Sequence, residues 1–132
     1  MTSEYMHSQV DVIDDTTLLT VRGGILDSVS YRPLRDLIVK AAIDEPRALI
    51  VDITELIVPA ESALAVFTSA RWHIARWPDV PPLLLVCGTT MRRNALRRNG
   101  ITRYVPVYAT LQEATAIAAH RAVPGRKRAR VE

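Results

Sequence analysis

The chain has 132 residues, 48% of them hydrophobic, enough apolar side chain to build the core of one ordinary domain and too much for global disorder. No apolar run approaches the roughly 20 residues that cross a bilayer, and MTSEYMHSQ lacks the basic-then-apolar pattern of a signal peptide, so a cytoplasmic protein with no membrane partner is expected. The net charge of +3 arises in the tail from Pro124, where Arg126, Lys127, Arg128 and Arg130 stand against Glu132, so the body is near neutral and its isoelectric point says little about partners.

Residues 1–9 read as a flexible N-terminus. QVDVIDD then places Val10 and Val12 on one face, and TTLLTVR follows an Asp-Asp turn, which predicts two short strands joined tightly. In GGILDS, Gly23 and Gly24 allow a bend, and Asp27 or Ser28 can cap a helix. Pro33 fits that helix only in its first turn. Leu34, Leu37, Ile38, Ala41 and Ala42 repeat as an amphipathic stripe, and Pro46 marks its end. ALIVDI, from Ala48 to Ile53, is a continuous apolar run that suits a strand buried on both faces. A second helix is predicted from near Ala60 to before Pro78, with Leu64, Phe67, Ala70 and Ile74 inward.

LLLVC, from Leu83 to Cys87, predicts another buried strand. TTMRRNALRRNG reads as a threonine cap, a short helix and a stop at Gly100. YVPVY, from Tyr104 to Tyr108, predicts an edge strand because of Pro106. Thr110 and Glu113 form a capping box ahead of Leu111, Ala114, Ile117 and Ala118. The order β-β-α-β-α-β-α-β-α predicts an α/β fold: a mostly parallel mixed sheet of about five strands with four helices, over residues 10–123. Residues 124–132 are expected to be a disordered basic tail.

The chemistry-bearing residues are few. His7, His73 and His120 lack metal-ligand spacing. The single cysteine, Cys87, cannot form an internal disulfide and lies in a buried-strand pattern. Neither a phosphate-binding glycine loop nor a Ser/His/Asp set is present. No cofactor, metal or catalytic residue is therefore expected. Arg92, Arg93, Arg97 and Arg98 flank the third helix, with Arg93 and Arg97 on one face; they read as a solvated face or as a contact for an acidic partner. The tail has no aromatic residue for base stacking, which disfavours nucleic acid. Trp72 and Trp77 read as packing residues or partner contacts.

Three motifs in this order carry a resemblance: GILD at Gly24–Asp27, IVDITEL at Ile50–Leu56 and ESALAV at Glu61–Val66. Together they resemble the STAS domain family, which includes bacterial anti-sigma factor antagonists. The resemblance implies that Ser62 stands where a partner kinase phosphorylates the sporulation and stress-response members. Ala60, Glu61 and Ala63 replace the family's aspartate, serine and glycine. Asp27 and Asp52 match family aspartates. The implied partner-binding set is Asp27, Asp52, Ala60, Glu61, Ser62 and Ala63. From the residues alone, Ser62 reads equally as a plain residue at a helix start, and Asp27 and Asp52 as loop caps.

The expected function is a non-enzymatic regulatory module that captures an anti-sigma factor or a serine kinase-like switch protein, with ATP held by that partner. A second copy of the chain is a further partner to consider. The alternatives are a STAS scaffold that is never phosphorylated, a small α/β enzyme using Asp52 and Glu61 as acid and base, and a nucleic-acid binder acting through the tail.

Overall fold

The structure is a computed structural model and describes residues 6–44, 46–76 and 81–121. Five strands, β1 (His7–Ile13), β2 (Thr16–Ile25), β3 (Ala48–Ile57), β4 (Leu83–Val86) and β5 (Val107–Tyr108), form one sheet in the order β1-β2-β3-β4-β5. The hairpin β1-β2 is antiparallel and the remaining pairs are parallel. Four helices connect and cover the strands: α1 (Tyr31–Ala42), α2 (Ala65–Ile74), α3 (Thr90–Arg98) and α4 (Leu111–Arg121). The predicted α/β order is therefore the observed one. The basic tail and Trp77 lie outside the described residues.

The pleat sorts the strand residues into two layers. Leu19, Val21, Val51 and Ile53 meet Leu34 and Ile38 of α1, Phe67 and Ala70 of α2 and Leu96 of α3. Leu18, Ile50, Leu84 and Val86 point the other way and meet Ala114 and Ala118 of α4. The run ALIVDI thus lies between two helical layers, as a continuous apolar strand should. Leu64, Phe67, Ala70 and Ile74 are all buried. A buried phenylalanine or leucine side chain contributes roughly 1.5–3 kcal/mol.

Several local signals act as read. Asp14 and Asp15 both have positive φ, 51° and 65°, the backbone of a tight two-residue hairpin turn that aspartate tolerates. Gly23, at φ 70°, sits where the β2-β3 register slips between Arg22 and Ile25, a bulge that needs a left-handed residue. Gly100, at φ 76°, ends α3. Pro33 falls in the first turn of α1. Glu113 N–H donates to Thr110 Oγ1 at 3.1 Å, and Glu113 Oε1 accepts from Ala109 N–H, so the capping box forms with its return bond one residue early.

Four details differ from the sequence reading. β1 begins at His7, within the stretch read as flexible, because its backbone pairs with β2 as far as Arg22. The second helix opens as a 3-10 turn, Glu61–Leu64, before α2, a common tightening at a helix start. Thr89 makes no capping bond from its side chain; the hydroxyl of its neighbour Thr90 accepts from Arg93 instead. β5 is only two residues long, because Ile101–Arg103 forms a 3-10 turn and Tyr104 and Val105 close it onto Ile101 O.

Candidate functional site

The carboxyl ends of β2 and β3 lie side by side, with Ile25 paired to Ile57 and Leu26 N–H bonded to Ile57 O at 2.8 Å. Two segments leave the sheet there. One is the turn after β2, which Asp27 organises: its Oδ1 accepts the N–H groups of Val29 and Ser30 at 3.0 and 3.1 Å. Ser30 Oγ reaches back to Ile25 O at 2.6 Å. Asp27 thus organises the turn ahead of α1, while the helix caps at Ser30 without a side-chain bond, so neither Asp27 nor Ser28 is the helix cap that the sequence suggested. The bond from the Ser30 backbone, followed by other donors of this turn, holds the Asp27 carboxyl below its ordinary range.

The other segment carries Ala60–Leu64. Ala60 is extended, at φ −121° and ψ 125°, and Ala63 N–H closes the turn onto Ala60 O at 3.1 Å. Ser62 is exposed. Its hydroxyl makes no hydrogen bond among the described residues. Glu61 points across to α3, where Arg98 donates to its Oε2 at 2.5 Å and Asn99 Nδ2 to its Oε1 at 3.0 Å. Those bonds, that from Asn99 first, lower the Glu61 carboxyl from its ordinary value. The pair Arg98–Glu61 is solvent-exposed, so it orients the turn more than it stabilises the fold.

Asp52 is not part of this cluster. It pairs with Thr20 and Val86 in the middle of β3, and Val86 belongs to the layer under α4. The pleat therefore places Asp52 on the opposite face from the 3-10 turn and α2. Its Oδ1 accepts Thr54 N–H at 3.0 Å, a loop-capping bond. Asp27, Ala60, Glu61, Ser62 and Ala63 share one end and one side of the sheet, and Asp52 does not share that side.

Residues that periodicity passed over complete the surface. Val29, in the Asp27 turn, is 81% exposed, and Met91, in the first turn of α3, is 76% exposed. Ile57, at the end of β3, is exposed as well. A cleft of about 160 Å³ runs between the second segment and α3, lined by Val58, Glu61, Leu64, Thr89, Met91, Arg92 and Ala95. Apolar side chains of that segment and of α3 thus flank Glu61 there. The available signal was an apolar residue in a helix's first turn, outside its buried stripe.

The arginines divide by task. β3 runs five residues beyond Asp52, its last partner in β4, so carbonyls on that side lose their ladder. Arg92 supplies donors for Ile53 O, at 3.2 Å, and for Leu56 O. Arg93 donates to Cys87 O at 2.7 Å, just beyond the end of β4. Arg97 reaches only Asn94 on its own helix, at 2.7 Å. Arg93 and Arg97, which the sequence places on one helix face, therefore do not act together, since Arg93 is turned to the sheet.

Neither a protein-family model nor a curated protein matches the sequence. Solved structures do match. An anti-sigma factor antagonist from Mycobacterium paratuberculosis superposes with a TM-score of 0.73 at 19% identity, over 88% of this chain and 96% of that one. The fold is the STAS fold. A STAS domain protein from Planctomyces limnophilus is 16% identical with a TM-score of 0.64, over 84% and 96% of the two chains. The Bacillus cell fate determinant SpoIIAA in its phosphorylated form is also similar, at 16% identity and a TM-score of 0.55, over 83% and 97%. The STAS fold accounts for the order of the three sequence motifs. GILD forms the end of β2 and its turn, IVDITEL the outer half of β3, and ESALAV the 3-10 turn and the start of α2. Among the described residues, no group of histidine, cysteine and carboxylate side chains could hold a metal ion, and no helix is long and apolar enough to cross a membrane.

Proposed function

We propose that this protein is a regulatory protein-binding module that captures an anti-sigma factor or a serine kinase-like partner on the surface around Ser62, and that phosphorylation of Ser62 releases the partner. The observation that carries the reading is the setting of that serine. It is exposed, its hydroxyl has no hydrogen bond to lose among the described residues, and it stands in the 3-10 turn that opens into α2, next to Glu61, which lines the cleft that Met91 also lines. A phosphoserine adds nearly two negative charges at neutral pH. In a desolvated interface that charge weakens docking; at a helix start the fold itself tolerates it. The similarity to SpoIIAA in a phosphorylated form supports the same reading.

A second reading has its own observation. Glu61 is already anchored to Arg98 and Asn99, which fixes one negative charge beside Ser62. That suits a STAS scaffold that binds constitutively and is never phosphorylated. The enzyme reading has less support. Asp52 and Glu61 lie on opposite sides of the sheet, and the lowered Glu61 carboxyl is the reverse of what a proton donor needs.

The test uses serine-kinase anti-sigma factors from the same genome, each incubated with the protein and ATP. Intact mass and site mapping are expected to find one phosphate, on Ser62, and none on Ser62→Ala. No incorporation by any kinase proven active on another antagonist would remove the switch and leave the constitutive binder.

A further inference from the structure

We infer that the free edge of β1 is a dimer seam, to which β1 of a second copy adds antiparallel about a two-fold axis at Val10. The two edges of the sheet are built differently. β5 is two residues long and follows Pro106, a short and proline-guarded edge. β1 is seven residues long, runs against β2 without a bulge, and contains no lysine or proline. It is exposed along its whole length. Of the usual guards against edge pairing, β1 has only one charged side chain, the carboxylate of Asp11; it has no lysine, proline or bulge.

The hydrogen-bonding groups on that edge are set by the turn. A two-residue turn makes its flanking residues, Ile13 and Thr16, a hydrogen-bonded pair. His7, Gln9, Asp11 and Ile13 therefore direct their backbone groups to β2. Ser8, Val10 and Val12 direct theirs outward. The side chains follow the opposite alternation. Val10 and Val12 lie on the layer of α1, opposite Leu19 and Thr17, and are 55% and 68% exposed. Gln9 and Asp11 lie on the layer of α4, where Gln9 Nε2 donates to Asp11 Oδ2 at 3.1 Å and Arg22 reaches Gln9 Oε1 at 3.5 Å.

This strand is complementary to itself. Setting Val10 against Val10 uses every residue of β1 and places Ser8 opposite Val12. On the other layer it places Gln9 opposite Asp11 twice. Each Asp11 carboxylate then meets the second copy's Gln9 amide, with the second copy's Arg22 next in line. Centring the pair on Asp11 instead would oppose two carboxylates, which is unfavourable. The Val10-centred register is thus the one that uses the whole strand and gives each Asp11 a hydrogen-bond donor opposite, with a second copy as the occupant. An edge contact of this length lies at the small end of specific interfaces, so association in the range of roughly tens of micromolar is expected.

Sedimentation of the full chain tests the seam. At about 200 µM, well above that range, the wild type is expected at twice its 14.7 kDa chain mass. Val10→Lys is expected to stay monomeric with unchanged circular dichroism and melting, because residue 10 is exposed and its backbone serves only the free edge. Disulfide cross-linking reads the register. In Val10→Cys the paired Cα atoms would stand about 5.5 Å apart, within disulfide range, and the native Cys87 is buried. Two Ser8→Cys residues would lie about four strand positions apart, beyond reach. A wild type that remains monomeric, a Val10→Lys variant that still dimerises, or Ser8→Cys linking as fast as Val10→Cys would each overturn the seam.

Discussion

Replacing Arg92 with alanine is expected to lower folding stability by about 2–3 kcal/mol. The guanidinium serves two carbonyls, Ile53 O and Leu56 O, on the part of β3 that has outrun β4. Those carbonyls have lost their ladder partners, and an unsatisfied buried carbonyl keeps its full desolvation penalty. For a domain of this size the loss corresponds to a fall in melting temperature of roughly 10 °C. Both bonds come from one guanidinium nitrogen, Nη1, so the ammonium of Arg92→Lys, which also carries several donors, should recover part of the loss. Arg97→Ala is the control. Arg97 bonds only Asn94 within its own helix, so its loss should stay within about 0.5 kcal/mol. Equal melting of Arg92→Ala and Arg97→Ala would show that Arg92 is a surface charge after all.

The second large effect concerns binding. If the proposed partner docks around Ser62, Val29→Glu and Met91→Glu are each expected to weaken its binding by about 30-fold, or roughly 2 kcal/mol. Both side chains stand free of the core, at 81% and 76% exposure, so the fold has no stake in them. They lie on different segments, the Asp27 turn and the first turn of α3, and a carboxylate placed on a docking surface must be desolvated when the partner docks. Trp72→Ala provides the contrast. Trp72 packs against Tyr104 in a tilted arrangement, ring centres 5.4 Å apart and planes at 53°, and Arg71 lies 5.5 Å over its ring. Trp, Tyr and Arg are common binding anchors, so this patch is the rival surface. Unchanged capture by both glutamate variants, with loss in Trp72→Ala, would move the interface there.

How legible these features were depends on whether they are local. The alternation of apolar runs, the Asp-Asp turn, the Gly100 stop and the Thr110–Glu113 box are set by neighbouring residues, and the sequence displays them openly. The order of GILD, IVDITEL and ESALAV was enough to indicate the STAS fold. What escaped the sequence depends on strand lengths and faces. Asp52 reads like a strand-end residue, yet β3 continues to Ile57, and the pleat turns it toward α4. Arg92 and Arg93 look like a charged helix face; only the unequal ends of β3 and β4 reveal carbonyls that need them. Val29 and Met91 fall outside every apolar stripe, so periodicity could not mark them. Glu61 reads in the sequence only as the residue that replaces the family's serine beside Ser62, and its anchoring to Arg98 and Asn99, at the far end of α3, is a tertiary fact.

The proposed docking surface is tested most directly by backbone hydrogen exchange, measured on the protein alone and with whichever anti-sigma factor or serine kinase-like protein it is found to bind. Slowed exchange is expected in the Asp27 turn, in the segment from Val58 to Leu64 and in the first turn of α3, with β1 and α4 unchanged. Protection confined to α4, to β1 or to the Trp72–Tyr104 patch, with the Ser62 segment exchanging as in the free protein, would contradict the proposal.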